Sequence, residues 1–308
     1  MRDEITLQEL LEVQAHFSLP SPALVEKDFH VVKALAAITA IEPMPLQLAF
    51  GGGTALSRAH RLIRRMSEDI DLKIIGDALP SRSALRRLRE AMTDALLNAG
   101  FHFDPSDPKQ RTSGNESRYT IYRLPYQPVS RGEGALRPEI QIEVAVWPLR
   151  NSAIQLPVSS FMAEAFQRPP EIASIACVSI TQTAAEKFVA LTRRTGAELA
   201  DSTGRRDSTL ARHIYDLHII RANYDTAEVA ALARAIIPHD ADIFGNQFRA
   251  YRADPLTQTQ HAVSALGSDS QYAQRYADFL RDMVYGDRPD YKDAMATVKE
   301  IAVQLMKT

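Results

Sequence analysis

The sequence predicts an α+β protein in two parts, an α/β half followed by a helical half, with the change near residue 170. Three observations predict it. Apolar residues recur at helical spacing in the opening stretch. Two runs, "DIDLKII" and "RPEIQIEVAVWP", alternate strictly. Beyond Pro169 and Pro170 only helical periodicity is visible.

Taken in order, "TLQELLEVQAHF" and "SPALVEKDFHVVKALAAI" read as helices, the second with Ser21 and Pro22 at its start. "LQLAF" reads as a short strand that runs into Gly51, Gly52 and Gly53. In the strand "DIDLKII", Asp69, Asp71 and Lys73 share one face and Ile70, Leu72 and Ile74 the other. Residues 55–64 between these strands have few breakers and are assigned a short helix. "SALRRLREAMTDALLNAG" is a helix closed by Gly100. "SRYTIYRL" and "RPEIQIEVAVWP" add strands, the latter with Glu139, Gln141 and Glu143 on the face opposite Ile140, Ile142 and Val144. In the second half, Thr183 and Glu186 stand at capping-box spacing ahead of "AAEKFVALTRR", and the loop "GAELADSTGRRDST" leads into the helix "LARHIYDLHIIRA". "QYAQRYADFLRDMV" and "YKDAMATVKEIAVQLM" are further helices.

The 308 residues suffice for one large or two ordinary domains, here 1–170 and 171–308. A net charge of −2 gives no overall pull toward nucleic acid. Local basic clusters do exist: Arg58, His60, Arg61, Arg64 and Arg65; Arg82, Arg86, Arg87 and Arg89; and Arg193, Arg194, Arg205, Arg206, Arg212 and His213. Each reads either as a phosphate-binding patch or as a solvated helix face. Cys177 is the only cysteine, which excludes an internal disulfide and a cysteine-rich zinc site and suits a reducing cytoplasm. The opening "MRDEITLQEL" lacks the apolar core of a signal peptide, and no apolar stretch reaches the roughly 20 residues of a membrane span.

The chemistry is concentrated in "FGGGTALSRAHRLIRRMSEDIDLKI". A glycine-rich turn entering a helix presents amide N–H groups to phosphate, and Thr54 adds a hydroxyl; a ligand-free tight turn is the plainer alternative. Asp69 and Asp71 lie two residues apart on one strand face, their carboxylates about 7 Å apart or closer, and repel without a counter-ion. A hard divalent cation relieves that repulsion, with Glu143 on a neighbouring strand as third ligand. His213 and His218 have no ligand-type partner at a paired spacing except each other. Trp147, Tyr119, Tyr122 and Tyr126 suit either base stacking or sheet packing.

"GGGTAL" followed by "RRMSEDIDL" resembles the signature of the AbiEii/MenT-type nucleotidyltransferase toxins, members of the DNA polymerase β-like nucleotidyltransferase superfamily. "VEKDFHVVKAL" resembles that family's N-terminal Glu-Lys-Asp helix, and "TAAEKFVALTRR" with "RHIYDLH" its C-terminal motifs, so the likeness touches residues 20–220. The resemblance implies a polymerase β-like domain with a mixed sheet, then a helical domain, with the active site in the cleft between them. It implies that Gly52, Gly53 and Thr54 contact nucleotide phosphates, with Ser67 close by and Arg65 a further phosphate contact. Asp69 and Asp71 then bind magnesium, with manganese as a substitute, and Lys187 and Asp216 complete the site. Asp207 competes with Asp216 as the second acid, and His213 stands where many relatives have aspartate.

The activity so implied is transfer of NMP from an NTP to a tRNA 3′ end by the toxin of a type IV toxin–antitoxin or phage-defence pair, neutralised by an AbiEi-type antitoxin. Two alternatives stay open: transfer to a protein or small-molecule hydroxyl, and a catalytically silent binding module.

Overall fold

The computed structural model describes residues 5–76, 78–130, 136–201, 203–204, 206–245 and 248–307. The chain forms two compact units, one of residues 1–61 with 66–178 and one of residues 62–65 with 179–308.

The first unit begins with α1 (Leu7–Phe17) and α2 (Pro22–Thr39). Thr6 and Glu9 close a reciprocal capping box on α1, and Ser21 caps α2 with Pro22 in its first turn. Then come β1 (Leu48–Gly51), α3 (Gly52–Arg58), β2 (Asp69–Ile74), α4 (Arg82–Asn98), β3 (Arg111–Gly114), β4 (Tyr119–Pro125), β5 (Glu139–Val146), β6 (Ile154–Val158), α5 (Phe161–Ala165) and β7 (Ile172–Cys177). α4 ends as its sequence demands: Gly100 takes φ +84, and the Gly100 and Phe101 amides donate to Leu97 and Leu96.

The seven strands form one mixed sheet in the order β3-β4-β5-β2-β1-β7-β6. β2 runs parallel to β5, and β1 is antiparallel to β2 and parallel to β7. The alternation read in β2 and β5 sorts the sheet into unlike faces. Ile70, Leu72, Ile140, Ile142, Val144, Tyr122 and Leu124 are buried and join Val31, Leu35 and Ile38 of α2 and Leu85, Leu88, Met92 and Leu96 of α4 in one core. Each such aliphatic side chain contributes about 1.5–3 kcal/mol by leaving water. The other face carries Asp69, Asp71, Gln141, Glu143 and Tyr119, all partly buried.

The change to helices expected near residue 170 comes after β7, which closes against β1 through the pairing of Phe50 with Cys177. The Val178 amide also donates to the Phe50 carbonyl. Burial pushes the Cys177 thiol up to about 12, so it is an inert core group.

The second unit contains α6 (Ile180–Ala200), α7 (Leu210–Ile219), α8 (Thr226–Phe244), α9 (Arg249–Ala253), α10 (Pro255–Ser268), α11 (Ser270–Met283) and α12 (Tyr291–Lys307). α6 is longer at both ends than its sequence suggests. Ser179 is the N-cap, accepting from the Gln182 amide, so Thr183 is a buried interior residue and no capping box forms there. "GAELA", read as loop, continues the helix. A Cβ on Gly196 would lie 2.6 Å from Phe248 Cε1, so this glycine answers a packing demand rather than ending the helix. Among the described residues no helix is long and apolar enough to cross a membrane.

Candidate active site

β1 delivers the chain to the glycine turn. Gly52 has φ +70, and a Cβ there would lie 1.7 Å from Asp71 Oδ2, so the Asp71 carboxylate rests against the bare Cα of Gly52. Only glycine meets both demands. Gly53 follows as a buried residue of α3. Thr54 Oγ1 donates to the Asp69 carbonyl at 2.5 Å and lies 3.0 Å from Ser67 Oγ, so this buried hydroxyl ties α3 to the start of β2. The parallel register sets Asp69 opposite Gln141 and Asp71 opposite Glu143. Gly52, Gly53, Thr54, Ser67, Asp69, Asp71 and Glu143 are therefore one local group within the first unit.

Asp69 and Asp71 present hard oxygen donors, and the bare Cα of Gly52 lets the Asp71 carboxylate occupy the space a side chain would fill. This fits magnesium, which is commonly held by one or two carboxylates with substrate phosphates supplying the rest. Among the described residues no three His, Cys, Asp or Glu side chains gather as a metal group. Glu143 is engaged elsewhere: Oε2 accepts from the Tyr119 hydroxyl at 2.9 Å and Oε1 from Gln141 Nε2 at 2.7 Å. Burial, followed by the Glu143 charge and this hydrogen bond, pushes the Tyr119 phenol far up, so it stays a donor.

The Glu26-Lys27-Asp28 run explains how the carboxylate strands are anchored, a role the sequence alone did not disclose. All three side chains are buried. Lys27 Nζ donates to the Arg137 carbonyl at 2.8 Å and to the Glu139 carbonyl, and lies 3.2 Å from Glu68 Oε2. One ammonium thus fixes the entries of both β2 and β5. Glu26 accepts from the Val129 and Ser130 amides. Asp28 accepts from the Phe161 amide at 2.7 Å and lies 3.3 Å from Arg58 Nε. Burial outweighs these contacts and raises the Asp28 carboxyl to about 6.

Arg65, Lys187 and Asp216 form a second group, in the helical unit. Residues 62–65 belong to that unit because the Arg64 carbonyl accepts from the Tyr285 and Gly286 amides at 3.1 and 3.0 Å and Arg65 bridges Val284. Arg65 Nε and Nη2 grip the two Asp216 oxygens at 2.6 Å each, and Lys187 Nζ lies 2.7 Å from Oδ2. Burial pushes the Asp216 carboxyl up, but the two cations more than offset this and hold it well below the usual carboxylate range. Asp207 pairs instead with Arg194 at 2.6 Å and caps its own loop through the Thr209 amide. His213 is driven well below its ordinary value by burial and then by Lys187 and Arg194, so the ring is neutral at pH 7.

Most basic-cluster residues are committed to ion pairs or hydrogen bonds. Arg58 meets Asp28, His60 Nε2 meets the Val178 carbonyl at 3.0 Å, and Arg193 meets Asp240 at 2.9 Å. Arg82, Arg86 and Arg87 lie exposed on α4, Arg82 3.2 Å from Glu116 and Arg86 3.9 Å from Glu90, while Arg205 lies outside the described residues. Tyr122 is fully buried and Tyr126 stacks on His30 with centroids 4.2 Å apart, so both serve packing. His218 is hydrogen-bonded to Thr297 at 3.0 Å.

The fold is similar to that of MenT4, a nucleotidyltransferase toxin from Mycobacterium tuberculosis H37Rv, with a TM-score of 0.60 at 16% identity, over 97% of this chain and 90% of that one. At that identity the likeness is one of fold. The sequence matches the family model described as "Nucleotidyl transferase AbiEii toxin, Type IV TA system" over residues 33–298, and the chain belongs to that family. A search of curated proteins finds no match.

Proposed function

We propose that this nucleotidyltransferase moves NMP from an NTP to a hydroxyl of RNA, the tRNA 3′ end, in a magnesium-dependent reaction that manganese also supports. The observation that carries the reading is the β2–β5 register, which sets Asp71 beside Glu143 with Asp69 on the same face and Gly52 against Asp71. Asp69 and Asp71 hold the cation. When bound, it polarises the phosphoryl oxygens and neutralises triphosphate charge.

Gly52 and Gly53 allow the backbone to approach phosphate, while Thr54 and Ser67 keep that turn fixed to β2. Glu143 accepts the proton of the attacking hydroxyl as its oxygen bonds to the α-phosphorus and the bond to pyrophosphate breaks. In the helical unit, expected at residues 171–308 and formed by residues 62–65 with 179–308, Lys187 and Arg65 offer positive charge to phosphate, and Asp216 orients both; its direct pairing with Lys187 favours it over Asp207 as the site acid. Exposed Arg82, Arg86 and Arg87 give the salt-sensitive contacts an RNA requires. The partner is an AbiEi-type antitoxin, and the setting a cytoplasmic phage-defence response.

The test incubates the protein with magnesium, each labelled NTP and total tRNA, beside Asp69→Ala. Label on RNA with the wild type alone is the expected result. Label on protein instead would move the acceptor to a protein hydroxyl, and no label with any NTP would sink the reading.

A further inference from the structure

We infer that Tyr119 and Gln141 are positioning residues that clamp the Glu143 carboxylate as a proton acceptor. The inference rests on the role given to Glu143 above. The clamp follows from sheet register. β4 runs antiparallel to β5, with Ile121 opposite Glu143 and Tyr119 opposite Ala145, so Tyr119 is the diagonal neighbour on the same face, within reach of a long side chain. Gln141 shares that face two residues before Glu143.

Each carboxylate oxygen thus has its own donor, from a different strand, at 2.9 and 2.7 Å. Both donors are neutral. A lysine or arginine in either place would cancel the charge that a proton acceptor needs, whereas a phenol and an amide orient the group and leave it anionic. A carboxylate has about four lone-pair sites, so two remain for a substrate hydroxyl. Asp71, directly across the β2–β5 pair, is the competing attraction: a cation held there would draw in an unrestrained Glu143.

The test compares Tyr119→Phe, Gln141→Leu, Glu143→Gln and the double variant Tyr119→Phe/Glu143→Gln as full chains, with manganese and a labelled NTP. Turnover, KM for the RNA, calorimetric NTP affinity and thermal midpoint are read separately. Tyr119→Phe and Gln141→Leu should each lower kcat about tenfold while NTP affinity and KM stay within about twofold, as loss of one hydrogen bond to a charged group predicts. The thermal midpoint should not move, and the double variant should fall no further than Glu143→Gln alone, because one group acts through the other. Wild-type kcat in Tyr119→Phe beside an inactive Glu143→Gln overturns the clamp, as does about tenfold weaker NTP binding in Tyr119→Phe. A fully active Glu143→Gln overturns the reading of Glu143 beneath it, and the clamp with it.

Discussion

Asp71 is half-buried on a sheet face with Asp69 two residues away, whereas Asp216 is wholly buried and held by Arg65 and Lys187. The two acids serve opposite electrostatic ends. At Asp69 and Asp71 like charges share a face, so a cation bound there meets two hard oxygen donors of the same sign. At Asp216 the balance is reversed, because one carboxylate faces two cations and the surplus charge is positive. The first centre is suited to a cation and the second to an anion, and each should fail differently when its acid is removed.

The largest expected effect is on turnover. Asp71→Asn should lower nucleotidyl transfer by at least about a thousandfold, the several kcal/mol that metal-assisted charge stabilisation supplies. Stability to urea should be unchanged or slightly higher, since a repulsion is gone. A variant that loses activity only in step with folding would show that the carboxylate is structural and that the contrast with Asp216 is false.

Asp216→Asn should do the reverse. It leaves two buried cations without a counter-charge, which costs about 3–5 kcal/mol. Urea denaturation reads the loss directly. A change below about 1 kcal/mol would mean that the pair is hydrated and its geometry contributes little.

This contrast also separates what was legible in the sequence from what was not. Asp69 and Asp71 were legible because strand alternation puts them on one face wherever the strand lies, and Glu143 followed from the same periodicity in β5. α2 and α4 were legible through Ser21-Pro22 and Gly100. The grip of Arg65 on Asp216 joins residues 151 apart, and it exists because residues 62–65 leave the sheet unit to pair with residues 284–286, which no periodicity encodes. β3 is the polar run "RTSG", and β6 has a register irregularity next to Pro157, so neither shows alternation. Lys27 was visible as part of the Glu-Lys-Asp helix, but its role appears only once the β2 and β5 entries are brought to it. Tyr119 was a choice between stacking and packing; the sequence did not show that its hydroxyl holds Glu143.

Gly52→Ala tests the first centre without touching a charge. The left-handed backbone costs an L-residue about 1–2 kcal/mol, and the new Cβ must displace the Asp71 carboxylate. Transfer should fall about a hundredfold, as a misplacement near 1 Å at reacting groups predicts, with NTP affinity weakened as well. Unchanged affinity would separate the glycine turn from phosphate binding and leave it a device for seating Asp71.

Asp28 falls between the two centres, and pH separates it from both. It is buried like Asp216 but faces one cation, Arg58, and its carboxyl rises to about 6 instead of falling. A raised carboxyl means that between about 4 and 6 the folded chain keeps a proton the unfolded chain has lost. Stability from this group is therefore greatest below the unfolded value, declines as pH rises through that window, and is level above it. At 1.36 kcal/mol per unit the decline is on the order of 2–3 kcal/mol. Asp28→Asn removes the titration but keeps the shape. Arg58 stays charged throughout, so losing its partner shifts the variant by a constant and leaves the slope to Asp28. Urea midpoints of wild type and Asp28→Asn between pH 4.5 and 7 should diverge, with the wild type losing ground as pH rises. Parallel curves would show that Arg58 and the Phe161 amide compensate Asp28 fully, and would move it to the class of Asp216.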